Sequence, residues 1–201
     1  MNVVSWRDMP FRTVVRQQFD YSCGSAAVAT LLRFHYSQNI GESDVFRTMY
    51  EHGDQARIRQ VGFSMLDMRN YLNAQGFATD GLRLSLDELA ALQTPTIALI
   101  TRSGYRHFVV VKGIQADDVL VGDPTFGLQT YSRAQFSAMW NGVVLAIRHT
   151  PNVNAAVYNS AQEWRARPVA PMGAATGPMS PSDFYREMRE VYQITPARTV
   201  N

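Results

Sequence analysis

Apolar positions in this chain recur at helical spacing up to Pro95 and in short strand-like blocks after it. From Gly24 to Tyr36 the run Ala26, Ala27, Val28, Ala29, Leu31, Leu32, Phe34 is apolar on most sides. That predicts a helix buried in the centre of a domain. Ser43 or Glu42 is expected to cap a second helix through Val45, Phe46 and Met49. Residues 51–63 are polar, carry glycines near both ends, and read as a loop. Ser64 opens a helix with Leu66, Met68, Tyr71 and Leu72 on one face, ended by Gly76. Ser85 and Glu88 form a capping box for a further short helix. Upstream, Val14 and Val15 suggest a short entry strand.

Beyond Pro95, Thr96–Ile100 reads as a strand, Ser103-Gly104-Tyr105 as a turn, and His107–Val111 as a strand too apolar for a sheet edge. Val119–Gly122 follows a turn at Asp117-Asp118 and stops at Asp123-Pro124. Leu128–Tyr131 predicts a fourth strand, Arg133–Met139 a short helix, and Val143–Arg148 the last strand. Helices first and an antiparallel sheet second is an α+β arrangement, expected over residues 1–150. Residues 151–201 read as a C-terminal extension. Within it, 167–181 is a linker rich in Pro, Gly, Ala and Met, and 182–192 is a helix whose aromatic face is expected to pack on something apolar.

Composition narrows the functional classes. The chain has 201 residues, is 46% hydrophobic and carries a net charge of +2, which suits one globular domain plus some extra length. Its arginines are scattered along the sequence and read as solvated surface, not as the basic stripe of a nucleic-acid binder. Lys112 is the only lysine. One cysteine excludes an internal disulfide and a multi-thiolate zinc site. No apolar run approaches the ~20 residues of a membrane span, and the N-terminus does not read as a signal peptide. An earlier signal removed from the mature chain stays compatible with this reading.

That single cysteine, Cys23, stands where the buried helix begins, among Asp20, Ser22 and Ser25. A helix N-terminus offers unpaired N–H groups and the positive end of the macrodipole, which favour a thiolate nucleophile. The plain alternative is one more small buried side chain. Of the four histidines, His107 opens a central strand and is the candidate base, whereas His35 reads as structural. If the strands flanking Asp117-Asp118 pair, Asp123 falls near His107 and can orient its ring. Otherwise His107 binds a neighbouring carbonyl and Asp123 is an ordinary turn carboxylate. Gln17, six residues before Cys23, is placed to donate with the Cys23 amide to an oxyanion. Taken alone it would be a surface residue.

With these residues the chain resembles the papain-like cysteine peptidases that trim double-glycine leaders from bacteriocins. The resemblance rests on Gln17, then Cys23-Gly24, Ala26-Ala27, His107-Phe108-Val109-Val110-Val111 and Asp123-Pro124, in that order, over residues 12–148. It implies a papain-like fold and a catalytic set of Cys23, His107, Asp123 and Gln17. No cofactor and no metal are implied. Ser22 departs from the acidic residue that usually precedes the cysteine in exporter-fused members. The wording around Cys23 looks like stand-alone Gram-negative relatives, some serving functional-amyloid fibre secretion. That implies a periplasmic protein acting on an exported fibre subunit or leader peptide alongside secretion-system components. Two rival readings stay open. One is a catalytically silent module that binds or chaperones peptides. The other is acyl transfer to an amine.

Overall fold

In the computed structural model, residues 6–19, 21–102, 104–149 and 157–166 are described. The expected linker and terminal helix of the extension lie outside them. After a 3-10 helix at Trp6–Phe11 come α1 (Cys23–His35), α2 (Glu42–His52), α3 (Gln55–Val61) and α4 (Met65–Ala74). There follow β1 (Ala78–Arg83), α5 (Leu86–Ala91), β2 (Thr96–Arg102), β3 (Tyr105–Ile114), β4 (Asp118–Asp123), β5 (Gly127–Ser132), α6 (Arg133–Met139), β6 (Trp140–His149) and α7 (Ala161–Ala166). The strands form one antiparallel sheet in the order β1-β6-β2-β3-β4-β5. The fold is the expected α+β architecture.

Period-2 alternation splits the sheet between two cores. Ile97, Leu99, Phe108, Val110, Leu145 and Ile147 pack with Val28, Leu31 and Leu32 of α1, Val45 and Met49 of α2, and Met68 and Leu72 of α4. Ala98, Ile100, Val109, Val111, Val119, Val121 and Val144 pack on the other side with Leu89 of α5 and Phe136 of α6. Helix α1 is therefore enclosed by α2, α4 and the sheet, which explains its lack of a polar face. Ser64 with Asp67, and Ser85 with Glu88, form complete capping boxes at α4 and α5.

Four local expectations are corrected. The polar stretch 51–63 contains α3, whose Asp54 side chain accepts from the Arg57 amide and whose one buried residue is Ile58. A single inward apolar residue in seven is too weak a periodic signal to read. Gly62, at φ 77°, ends this helix, in backbone geometry that favours glycine. Val14 and Val15 form no strand; the Val15 amide donates to the Thr30 hydroxyl instead. Leu66 points outward at 58% exposure although it shares the spacing of the α4 core. The cap of α2 is Gly41, not Ser43 or Glu42. Strand β1 has no signal of its own: Ala-Thr-Asp-Gly-Leu-Arg is held at the sheet edge by pairing with β6.

Residues 157–166 clasp the domain. The amide of Val157 donates to the His35 carbonyl and that of Asn159 to the Lys112 carbonyl, both at 3.0 Å. Gly113 admits the close approach, since a Cβ there would stand 2.2 Å from Asn159 Oδ1. Beneath the clasp, fully buried Lys112 pairs with Glu163 at 2.5 Å and donates to the Thr13 carbonyl at 2.6 Å.

His35 sits in the same cluster, its Nδ1 2.5 Å from the Val157 carbonyl. Burial first, then the Lys112 charge, push its pKa down to about 4, against the opposing effects of the Val157 carbonyl and Glu163. The unfolded chain takes that proton near pH 6.5. The unfolded state thus binds more protons between pH 6.5 and 4, and stability falls as pH falls through that window. In urea titrations at pH 7 and 4.5, His35→Gln is expected to lose less stability on acidification than the parent protein. Equal losses would assign the acid sensitivity to other groups.

Candidate active site

The first turn of α1 carries the thiol because of how the preceding chain folds. Ser22 does not cap the helix. Its hydroxyl turns back to the Phe19 carbonyl and amide at 3.0 and 3.1 Å, so the first-turn amides are not consumed by that side chain. Cys23 is 6% exposed and lines a cleft of about 790 Å³. It therefore belongs to the core around α1 and borders the cleft at the same time.

Under this turn lies Glu42, the first residue of α2, 3% exposed. The Ser25 hydroxyl is 3.1 Å from Glu42 Oε1 and 2.9 Å from the Ser22 carbonyl. One hydroxyl hydrogen cannot serve both acceptors at once. Burial pushes the Glu42 pKa up, against the serine hydrogen bonds. The contact joins the start of α2 to the segment that bears Cys23. Sequence reasoning missed this role because Gly-Glu-Ser-Asp reads as a helix start and nothing more.

His107 and Asp123 reach each other through sheet register. Val110 pairs with Gly122, so Asp123 follows one step on, on the same face as Val109 and hence His107. His107 Nε2 lies 2.8 Å from Asp123 Oδ1, with both side chains buried. The same oxygen accepts from the Thr125 amide at 2.8 Å and the Phe126 amide at 3.2 Å. The carboxylate is thus immobilised by the turn after β4 before it engages the ring.

Burial alone would lower the His107 pKa. Asp123, by charge and hydrogen bond, overcomes this, and Cys23 adds to the effect, so that the pKa rises to about 10. Nδ1, the nitrogen not facing Asp123, is buried without a partner in full hydrogen-bond geometry. Loose thiol–imidazole contacts are usual in unliganded enzymes and tighten on substrate binding.

Gln17 belongs to the same neighbourhood. Its amide donates to the Pro124 carbonyl at 3.0 Å, and its side-chain Oε1 accepts from Thr125 Oγ1 at 3.1 Å. One Nε2 hydrogen goes to the Phe19 carbonyl at 3.2 Å; a side-chain amide carries a second. Thr125, which joins Gln17 to the Asp123 turn, was not legible in sequence because threonine after Asp-Pro is ordinary. Of the other three histidines, His35 lies under the clasp, His52 binds the Thr48 carbonyl at the end of α2, and His149 is the last residue of β6. Among the described residues no cluster of His, Cys, Asp and Glu could hold a metal ion.

Residues 12–152 match the Peptidase C39 family. Over 145 residues the chain is 41% identical to the "Probable functional amyloid protease FapD" of Pseudomonas fluorescens. That match takes in 72% of this chain and 64% of the relative, so the chain spans less than two thirds of that protein's length. Two solved structures share the fold, each at TM-score 0.57 and 22% identity over 68% of this chain. One is the peptidase domain of Streptococcus ComA, a bi-functional ABC transporter, covered to 98%. The other is a double glycine motif protease from an AMS/PCAT transporter in complex with its leader peptide, covered to 91%. Sequence match and shared fold lead to one assignment: the chain belongs to the Peptidase C39 family.

Proposed function

We propose that the protein is a cysteine peptidase that cuts an exported polypeptide. The observation that carries this is the His107–Asp123 pair at 2.8 Å, with the other ring nitrogen buried and the sole thiol among the groups that raise the pKa of the ring. Cys23 lines the large cleft that would receive the chain.

The chemistry follows from these positions. The Cys23 sulfur, its proton held by His107, attacks the scissile carbonyl carbon, and the carbonyl oxygen gains the charge. The Cys23 amide and the second Nε2 hydrogen of Gln17 stabilise that oxyanion. His107 then protonates the leaving amine, the C–N bond breaks, and a thioester remains. Water, deprotonated by His107, attacks the thioester and restores the thiol, releasing a carboxyl product. Asp123 holds the ring and the imidazolium throughout. The 41% identical relative is named a probable functional amyloid protease, which supports a fibre subunit or its leader as substrate; the periplasm is the site of action we propose with it. Among the described residues, no helix is long and apolar enough to cross a membrane.

The direct test has two parts. A thiol-directed peptidase inhibitor should label Cys23. A strain carrying Cys23→Ala should accumulate an uncut precursor among its envelope and secreted proteins. An unchanged protein pattern with full biological activity would show that the chain binds its partner without cutting it.

The raised His107 pKa predicts an alkaline limb of kcat/KM near pH 10, where the ring loses the proton it gives to the leaving amine. In Asp123→Asn the pull upward is gone while burial still pushes down, so the limb should move to lower pH. A limb that does not move would dissociate Asp123 from the ring. The same linkage bears on stability. A folded pKa near 10 against 6.5 unfolded stabilises fully below pH 6.5, and this contribution is lost as pH rises from there toward 10.

A further inference from the structure

Three of the arginines that look scattered in sequence line the same cleft as Cys23. Arg57 and Arg59 of α3 and Arg106 of β3 line the cleft, and among the described residues no carboxylate does. Between them lie apolar side chains, including Met65, Leu99 and Phe108. Arg57 makes only a long contact, 3.9 Å, to Asp67, which leaves it half exposed. Arg59 donates to the neutral Tyr50 hydroxyl. Among the described residues, no carboxylate stands within ion-pair distance of Arg59 or Arg106.

Three guanidinium groups carried by two separate elements raise the positive potential of a groove with an apolar floor. Solvation alone does not require such charges to surround the nucleophile, because arginines elsewhere on the surface are solvated equally well. Guanidinium binds carboxylate with two parallel hydrogen bonds, a geometry that lysine does not offer. Both α3 and Arg106 fall within this one cleft, so the charge complements a peptide lying along it.

We infer that the substrate segment carries aspartate or glutamate side chains near the scissile bond, read by Arg57, Arg59 and Arg106, with apolar residues between them. The inference rests on the peptidase reading and deepens it. Exposed ion pairs are individually weak, so each matched carboxylate is expected to raise kcat/KM about threefold. The gain should fade as salt screens it.

The test uses the full chain and a proteome-derived peptide library, with cut positions read by mass spectrometry. Acidic residues should be enriched within a few positions of the cuts. A cleaved sequence is then made in Glu and Gln versions, and the Glu/Gln ratio of kcat/KM is measured at 0.05 and 0.5 M salt. The ratio should exceed about threefold at low salt and shrink at high salt. In Arg59→Glu/Arg106→Glu it should fall below one, and in Arg59→Lys/Arg106→Lys it should shrink but stay above one, because the charge remains and the paired hydrogen bonds are lost. Because the readout is a ratio, a general loss of rate in the variants does not disturb it. Cuts without acidic enrichment, or a ratio that charge reversal leaves intact, would overturn this inference and spare the peptidase reading. No cut in any peptide would overturn both.

Discussion

Cys23→Ala is expected to abolish cleavage of the natural partner, with the fold unaltered. In the proposed mechanism the sulfur is the atom that bonds to substrate, and no other thiol exists in the chain to replace it. Asp123→Asn should lower kcat by roughly 10⁴-fold, because an amide no longer selects the ring tautomer and no longer stabilises the imidazolium. Gln17→Ala should cost less, about 10²- to 10³-fold, as loss of one oxyanion donor does elsewhere. This ordering separates catalysis from simple binding. A binding module would tolerate Cys23→Ala and Asp123→Asn alike, provided that both stay folded. Circular dichroism and thermal melts of each variant supply that control. Asp123→Asn keeps an oxygen that accepts from the Thr125 and Phe126 amides but loses the charge that strengthens those bonds, so a modest drop in melting temperature is expected there and not in Cys23→Ala.

The second large effect concerns stability at a distance from the cleft. Glu163→Gln should destabilise the domain by about 3–5 kcal/mol, the usual result of stranding a buried charge. Lys112 has no exposed route to water, and burial already pushes its pKa down against the support of Glu163. Lys112→Met strands Glu163 instead, whose second carboxylate oxygen has no partner even now. The double variant Lys112→Met/Glu163→Gln should lose clearly less than the sum of the two, since neither charge is then left alone. Urea titrations of the four proteins read this directly. Additive losses would mean that the pair is not coupled. The same logic assigns the clasp 157–166 to the stability of the domain, because it brings the partner of the sole lysine.

Much of the architecture was legible in the residues themselves. Unbroken small and apolar side chains from Gly24 onward require a helix with neighbours on nearly every side. Ser64 and Ser85 announce their helices through local hydrogen bonds. The blocks after Pro95 are short apolar runs bounded by turn residues, as buried strands are. Helix α3 escaped notice because one isoleucine makes no pattern, and β1 because its conformation comes from the strand beside it. The chemical set was partly legible for a similar reason: Cys23 at a helix start and Asp123 at a strand end are local facts.

What tertiary structure alone decided is which of these distant residues meet. Sheet register brings Asp123 to His107, the turn after β4 ties Thr125 to Gln17, and Glu42 lies beneath the turn that bears Cys23. It also converted dispersed arginines into a charged cleft and hid the only lysine under a segment some fifty residues away. Local sequence encodes conformation through short-range hydrogen bonds and burial period. Contacts between separate elements depend on how whole faces pack, and no window along the chain contains that information.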